Sequence, residues 1–330
     1  MPIVSVVIPV YNGEKTIRET INCVLNQSLS DFELLVVNDG SKDSTLEIVS
    51  RIQDPRLKVF SYPNAGLAAT RNRGISLSSS DYISFIDADD LWTPDKLEAQ
   101  LKALEDNPQA AIAYSWTDCI DESSQFLRKG GYLTVNGDVY SQLLVVDFLE
   151  SGSNPLFRKQ ALIEVGGFDE SLTAAEDWDI LLRLAARYPF VAVPSPQILY
   201  RVSATSMSAN VERQEATCLK VLERAYSQAP ASLKYLKKYS MANLYKYLTY
   251  KALEGTPERK KGLIAARFFM RFVISDRVLL RKRFIWKILL KIILWIFLSP
   301  EQAQRLIQAQ FKTLPHIHTT LLTQFQIEPF

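Results

Sequence analysis

The stretch Phe85-Ile86-Asp87-Ala88-Asp89-Asp90 sets three carboxylates directly behind an apolar run. Carboxylates at alternate positions of a strand end can converge on one divalent cation. Mg2+ and Mn2+ favour a few protein carboxylates together with substrate phosphate oxygens. No lysine or arginine adjoins these acids to neutralise them. Asp90 reads mainly as a local capping residue. The only histidines are His316 and His318, near the C-terminus, and they read as a chance pair. Ser-His-Asp hydrolysis and His-ligated zinc catalysis are thereby excluded from the main body. Cys23, Cys119 and Cys218 are far apart and odd in number, which fits neither a disulfide framework nor a Cys-based zinc site. That usage predicts a reducing, cytoplasmic setting. Carboxylates must carry any reaction.

The elements around these acids alternate. Ile3–Val10 is a near-continuous β-branched run, as in a strand covered on both faces. Asn12-Gly13 punctuates it, and Ile17, Ile21 and Leu25 give Glu14–Leu25 helical spacing. Phe32–Val37 predicts a second strand and Asp43–Ile52 a short helix. Leu57–Phe60 predicts a third strand, Leu67–Leu77 a helix and Tyr82–Ile86 a fourth strand. Thr93-Pro94-Asp95 has helix-start chemistry, with a capping hydroxyl followed by proline. The rhythm predicts an α/β fold, mostly a parallel sheet with helices on both faces. Ligands of such sheets sit at the C-terminal strand ends, where Tyr11-Asn12, Asp39 and Asp87–Asp90 fall.

The 330 residues, 47% of them hydrophobic, are those of a globular protein of about two domains. A net charge of +2 excludes a wholesale nucleic-acid binder. Neither G-x-G-x-x-G nor G-x-x-x-x-G-K-[ST] follows the first strand, so the dinucleotide and P-loop readings lose their fingerprint. The N-terminal MPIVSVVIPVYNG lacks a basic start and a small-residue cleavage site, and reads as a first strand rather than a signal peptide. Glu258–Lys291 carries eleven Lys/Arg against Glu258 and Asp276, a charge of +9 that leaves the rest at −7. The chain therefore divides near residue 205, into an acidic body and a basic, aromatic-rich, mainly helical region over 206–330.

Four ordered segments now matter together: Val4-Ser5-Val6-Val7-Ile8-Pro9-Val10-Tyr11-Asn12, Val37-Asn38-Asp39-Gly40-Ser41, Gly66–Gly74 and Phe85–Asp90. With Gly166-Gly167-Phe168-Asp169-Glu170 and Glu176-Asp177-Trp178-Asp179, they resemble a family 2 glycosyltransferase of the GT-A fold. The resemblance covers roughly residues 1–205, a nucleotide-sugar half over about 1–110 and an acceptor half over about 111–205. It implies inverting transfer of a sugar from a nucleoside-diphosphate donor, most often a UDP-sugar, with Mn2+ or Mg2+.

Residue roles follow from the matched positions. Pro9, Val10, Tyr11, Asn12 and Glu14 match the nucleoside pocket, and Asp39 the acid that accepts from a pyrimidine N–H. Arg71 lies in the segment facing the diphosphate, whose geometry suits a planar guanidinium. Asp87, with Ala88 beside it, would contact ribose or donor sugar, and Asp89 would ligate the metal, with Asp87 a second candidate. Gly167 would permit a tight turn near the donor sugar. An inverting displacement also needs a general base on the face opposite the leaving diphosphate. Glu176-Asp177 supplies separate carboxylates, and Asp177 matches the base. Trp178 would stack on an acceptor sugar or pack in the helix. Arg201 is a candidate diphosphate contact in a mobile loop. One departure stands out: Ser203 occupies the place where the family commonly has histidine.

The tail is apolar over Phe284–Leu298 but interrupted by Lys287 and Lys291, and a spanning helix needs ~20 apolar residues. Arg283, Lys287 and Lys291 are spaced to line one helical face, opposite Ile, Leu and Trp. That pattern predicts an interfacial helix over about 258–298 on an anionic membrane surface. Phe268, Phe269 and Phe272 with Arg267 and Arg271 extend it. The combined expectation is a metal-dependent glycosyltransferase, peripheral on the inner face of the cell membrane, with a lipid-linked or polysaccharide (glycan or glycolipid) acceptor and an open oligomeric state. The alternatives are a catalytically inactive, membrane-associated nucleotide-sugar-binding partner and a sugar nucleotidyltransferase. The latter needs a Gly-rich basic loop after the first strand, and Tyr11-Asn12-Gly13-Glu14 does not supply it.

Overall fold

The structure, a computed structural model, describes residues 1–203, 210–275 and 280–310. His316 and His318 lie outside the described residues. Two units are present: residues 1–143 with 147–203, and residues 144–146 with the described chain beyond 203.

The first unit begins with four strands that pair in parallel, β1 (Val4–Val10), β2 (Phe32–Asn38), β3 (Leu57–Ser61) and β4 (Tyr82–Phe85). Every residue of β1 and β2 is buried, which is why both read as unbroken apolar runs. Between them run α1 (Ile17–Leu25), α2 (Thr45–Ser50) and α3 (Leu67–Leu77). Ile17, Ile21 and Val24 of α1 pack with Val6, Ile8 and Leu34 in one apolar core. Each fully buried Ile or Leu there contributes about 1.5–3 kcal/mol. Helix α3 lies close on β1: a Cβ on Gly74 would stand 2.9 Å from Val7 Cγ2, so a bare glycine seats the helix.

Beyond β4 the sheet stops being parallel. With β5 (Leu91–Trp92), β6 (Ile112–Ile120), β7 (Phe126–Lys129), β8 (Leu156–Arg158) and β9 (Phe190–Arg201), the order is β3-β2-β1-β4-β8-β6-β9-β5, with β7 beside β6. Strand β8 runs antiparallel to both β4 and β6. Strand β9 is parallel to β6, while β5 and β7 add antiparallel edges. The expected mostly parallel sheet therefore holds for residues 1–85, and a mixed sheet replaces it afterwards. The helix expected from Thr93 starts later, as α4 (Lys96–Asp106), with Asp95 at its N-cap position, and the Thr93 hydroxyl donates to the Asp95 carboxylate at 2.6 Å. Three further helices follow: α5 (Tyr140–Val145), whose last two residues are counted in the second unit, α6 (Lys159–Glu164) and α7 (Glu176–Ala185).

The second unit is helical. It contains α8 (Val211–Gln228), a 3-10 turn (Ala231–Leu236), α9 (Lys237–Ala252), α10 (Arg259–Ser275), α11 (Arg283–Phe297) and α12 (Pro300–Gln310). Phe268, Phe269 and Phe272 are buried in this unit. Arg267 and Arg271 both pair with Glu215 of α8, the former at 3.1 Å. Those five residues thus build the unit's core and its internal ion pairs, which corrects their reading as membrane-facing. Lys291 is corrected too: its Nζ donates to the Leu253 carbonyl at 3.0 Å, and burial lowers its pKa.

Candidate active site

The ends of β1 and β2 meet first. Asn12 takes a left-handed backbone (φ 53°) and bends the chain out of β1. Its N–H donates to Ser41 Oγ at 2.9 Å, and the Lys42 N–H donates back to Asn12 Oδ1 at 2.8 Å. Glu14 N–H donates to Asp43, while Ser44 N–H donates to Glu14. These reciprocal bonds fasten 11–14 to 41–45. Pro9 and Val10 are buried inside β1, whereas Tyr11 stands 50% exposed at its mouth and Asn12 and Glu14 are exposed.

Asp39 follows β2 and is buried. Its carboxylate accepts from Ala65 N, Gly66 N and Arg73 Nη1 at 2.9–3.0 Å. It shapes the turn into α3, and three donors leave one of four lone-pair sites for a ligand N–H.

The acids after β4 divide by environment. Asp87 and Asp89 are half-buried, with Ala88 between them. Burial and the neighbouring Asp87 charge push Asp89 up to about 6. Asp90 points inward, accepting from Ser151 Oγ, from Ser153 Oγ at 2.6 Å and from the Arg201 N–H at 2.9 Å. Burial, then the charges of Asp89 and Asp87, raise its pKa well above the ordinary value. Ser153 Oγ also accepts the Asp87 N–H at 2.9 Å, so Asp90 props up the turn that presents Asp87. This bridging replaces the helix-capping role read from the sequence.

Arg71 joins the two acidic groups. It lies on α3, 1% exposed, and donates from Nη2 to Asp87 at 2.7 Å and from Nη1 to Glu176 at 2.9 Å. Its position there depends on Gly152, where a Cβ would stand 2.9 Å from Cζ and closer still to Nη2. Burial opposes its charge, yet the Asp87 and Glu176 carboxylates hold its pKa above the usual arginine value. Glu176 and Asp177 open α7, after a left-handed Ala175 (φ 54°), where the helix dipole favours acids. Burial and the Asp177 charge push Glu176 up to about 7, against the pull of Arg71. Burial also raises Asp177, against Arg71 and the Trp178 N–H it accepts at 2.8 Å. Asp147 belongs to the same electrostatic group: burial and the Asp177 charge push it up to about 8.

Four expected contacts are placed differently. The Arg71 guanidinium is spent on two carboxylates inside the fold rather than facing an open diphosphate groove. Arg201 is 3% exposed, and its guanidinium donates to Asp89 O, Asp121 O, Glu122 O, Ser124 Oγ and Glu19. It ends strand β9 and ties the 87–90 turn and the 121–124 turn to Glu19 of α1, so it sits in the sheet rather than in a mobile loop. The Trp178 indole is buried and donates to Leu143 O at 2.9 Å, which is packing rather than sugar stacking. Gly166 and Gly167 (φ 84° and 69°) end α6, their N–H groups bonding Ile163 O and Leu162 O in a Schellman cap. Gly167 also keeps Phe168 N–H on Asn72 Oδ1 of α3 at 2.8 Å. Sequence reading missed Gly152, Ser153 and Asp147. The small polar run Ser151-Gly152-Ser153-Asn154 before apolar Pro155-Leu156-Phe157 was the available signal.

A divalent cation is a chemical fit for Asp87 and Asp89. Burial first, and then the Asp87 charge, raise the Asp89 pKa, a cost that a cation relieves, and no Lys or Arg side chain bonds the Asp89 carboxylate among the described residues. No cluster of three or more His, Cys, Asp or Glu gathers to hold an ion alone among those residues. The pair therefore suits an ion that completes its coordination with water and diphosphate oxygens.

Solved structures place this architecture. The mannosyltransferase PcManGT of Pyrobaculum calidifontis, solved with GDP-Man and Mn2+, superposes with a TM-score of 0.59 at 17% identity, covering 94% of this chain and 88% of its own. S. aureus TarS 1-349, solved with UDP-GlcNAc, gives 0.56 at 16% identity, covering 83% and 89%. The fold is that of the GT-A glycosyltransferases. Residues 5–252 match the family described as glycosyltransferase like family 2, and the chain belongs to that family. A chondroitin synthase of Pasteurella multocida is 29% identical over 187 residues, 56% of this chain and 19% of that protein. The chain spans less than half the length of the first curated relatives it matches, two of them uncharacterized glycosyltransferases of Rickettsia.

Proposed function

We propose that this chain transfers a sugar with inversion from a nucleoside-diphosphate donor, a UDP-sugar, to a hydroxyl of a lipid-linked or polysaccharide acceptor at the inner face of the cell membrane. The observation that carries this reading is the buried Arg71 guanidinium, which holds donor-side Asp87 and base-side Glu176 together. The TarS complex with UDP-GlcNAc supports the uridine donor, and the chondroitin synthase relative supports a glycan acceptor.

In this reading the exposed Tyr11 ring, Asn12 and Glu14 flank the nucleoside, with the backbone of Pro9 and Val10 beneath them and Asp39 toward the base. Asp87 and the Ala88 backbone face the ribose and donor sugar. Asp177 takes the acceptor hydroxyl proton as that oxygen attacks the anomeric carbon. The new C–O bond forms while the bond from that carbon to the diphosphate oxygen breaks, and the electron pair leaves with the diphosphate. A carboxylate whose pKa burial raises is the better base near neutral pH. Arg71 keeps Asp87 and Glu176 from drifting apart, and both restrain α7, which carries Asp177. Bound Mn2+ or Mg2+, held by Asp89 and Asp87, would act as a Lewis acid toward the departing charge; the Mn2+ in the mannosyltransferase supports this.

A thermal-shift panel of nucleoside diphosphates and sugar nucleotides, with and without Mn2+, tests the reading. Uridine diphosphates should raise the Tm most, and only with Mn2+. Asp89→Ala should abolish the Mn2+-dependent part. The absence of any nucleotide shift, or retained Mn2+ dependence in the variant, would overturn it.

A further inference from the structure

We propose that the outer face of α11 docks on an anionic lipid surface, with Trp286, Leu290, Ile293 and Phe297 entering the interface and Arg281, Arg283 and Lys287 meeting the headgroups. This deepens the membrane setting of the proposed function and rests on it. Helix α11 has two apolar faces. Ile285, Ile288, Ile292 and Trp295 are buried inside the unit. Trp286, Leu290, Ile293 and Phe297 are exposed, Phe297 by 76%. At 3.6 residues per turn the exposed four fall within about 60° of arc, on the side away from the buried four. Arg283 and Lys287 are exposed and fall next along the wheel, together along one edge of the stripe. Arg281 and Leu280 are exposed just before the helix, and the Trp286 indole donates to Leu280 O at 3.2 Å. Arg281, Arg283 and Lys287 have no acidic partner among the described residues.

This arrangement decides between occupants. The stripe is ~16 Å long at 1.5 Å per residue, about half a ~30 Å hydrocarbon core, so it lies in the interface rather than across it. No described helix is long and apolar enough to cross a membrane. A second copy packed isologously would bring the same cations into one seam and set like charges against each other. Anionic headgroups instead match the cations beside the stripe, each worth roughly a fivefold gain in partitioning near the surface.

The test is flotation with vesicles of equal parts phosphatidylcholine and phosphatidylglycerol, beside vesicles of phosphatidylcholine alone. Two double variants accompany the full chain: Trp286→Ser with Phe297→Ser, and Arg283→Glu with Lys287→Glu. The wild type should float with anionic vesicles, and each variant should bind them at least about tenfold more weakly. Both variants should keep the wild-type Tm and nucleotide shift, so that failure of docking is separable from failure of the catalytic reading. Wild-type protein that stays off anionic vesicles, or variants that float as well as it does, would overturn the proposal. So would dissociation of a dimer by the Trp286/Phe297 variant when the wild type ignores vesicles.

Discussion

Arg71 and Glu176 form a buried ion pair at 2.9 Å although 105 residues separate them in the chain. The other arm of the guanidinium reaches Asp87, so one cation ties the turn after β4 to the first turn of α7. Arg71→Met would leave two carboxylates facing each other without a countercharge. A loss of about 3–5 kcal/mol is expected, measured by denaturant unfolding. Arg71→Lys should recover only part, since a point charge does not bridge two acids as a planar fork does. Wild-type stability in both variants would remove Arg71 from this role.

Gly152 carries a narrower expectation. A methyl group there would push the guanidinium off its seat. Gly152→Ala should lower transfer at least about tenfold, because misplacement of reacting groups by a fraction of an ångström is costly, while the Tm falls by only a few degrees. Steady-state kinetics beside a melt separate the two effects. An unchanged kcat would show that Arg71 placement does not matter for turnover.

Arg201 separates structural from ligand roles. Its donors are consumed by three backbone carbonyls, a serine and Glu19. Arg201→Ala should cost about 2–4 kcal/mol of stability. Nucleotide affinity of the folded protein, read by calorimetry, should stay within about twofold. Lost affinity at unchanged Tm would return Arg201 to the diphosphate.

The raised acids set a pH dependence for the ligand-free protein. Glu176 ordinarily titrates at 4.5 and is pushed up to about 7 by burial and Asp177. Between those values the folded state holds a proton that the unfolded chain has lost. The contribution of this group to stability is therefore fully present below about 4.5 and is lost as pH rises toward 7, by up to about 3 kcal/mol. Glu176→Gln should flatten that slope in melts across the window. An unaltered slope would place the titration elsewhere.

The legible parts of this molecule were local. Helix Leu67–Leu77 has the bounds its spacing predicts, and β1 to β4 differ from expectation by a residue at some ends. Apolar runs between turn residues carry that information. The mixed half was not legible, because antiparallel pairing of β8 with β4 and β6 joins residues 43 to 76 positions apart. The buried arginines were hidden for the same reason. An arginine on a helix reads as solvated until Gly152 and two distant acids are seen around it. Trp178 left stacking and packing both open in the sequence, since its indole partner is the carbonyl of Leu143, 35 residues away. In α11 almost every position is apolar, so spacing alone did not divide the buried face from the exposed one.

In the proposed reaction Asp177 accepts the acceptor's proton beside a donor held near Asp87 and Asp89. Asp177→Asn tests it most directly, since Asn retains an oxygen for the Trp178 N–H while losing basicity. Transfer from the donor identified by thermal shift should fall by ~10²–10⁴-fold, with the donor-induced shift itself preserved. Turnover at the wild-type rate in that variant would remove Asp177 as the base.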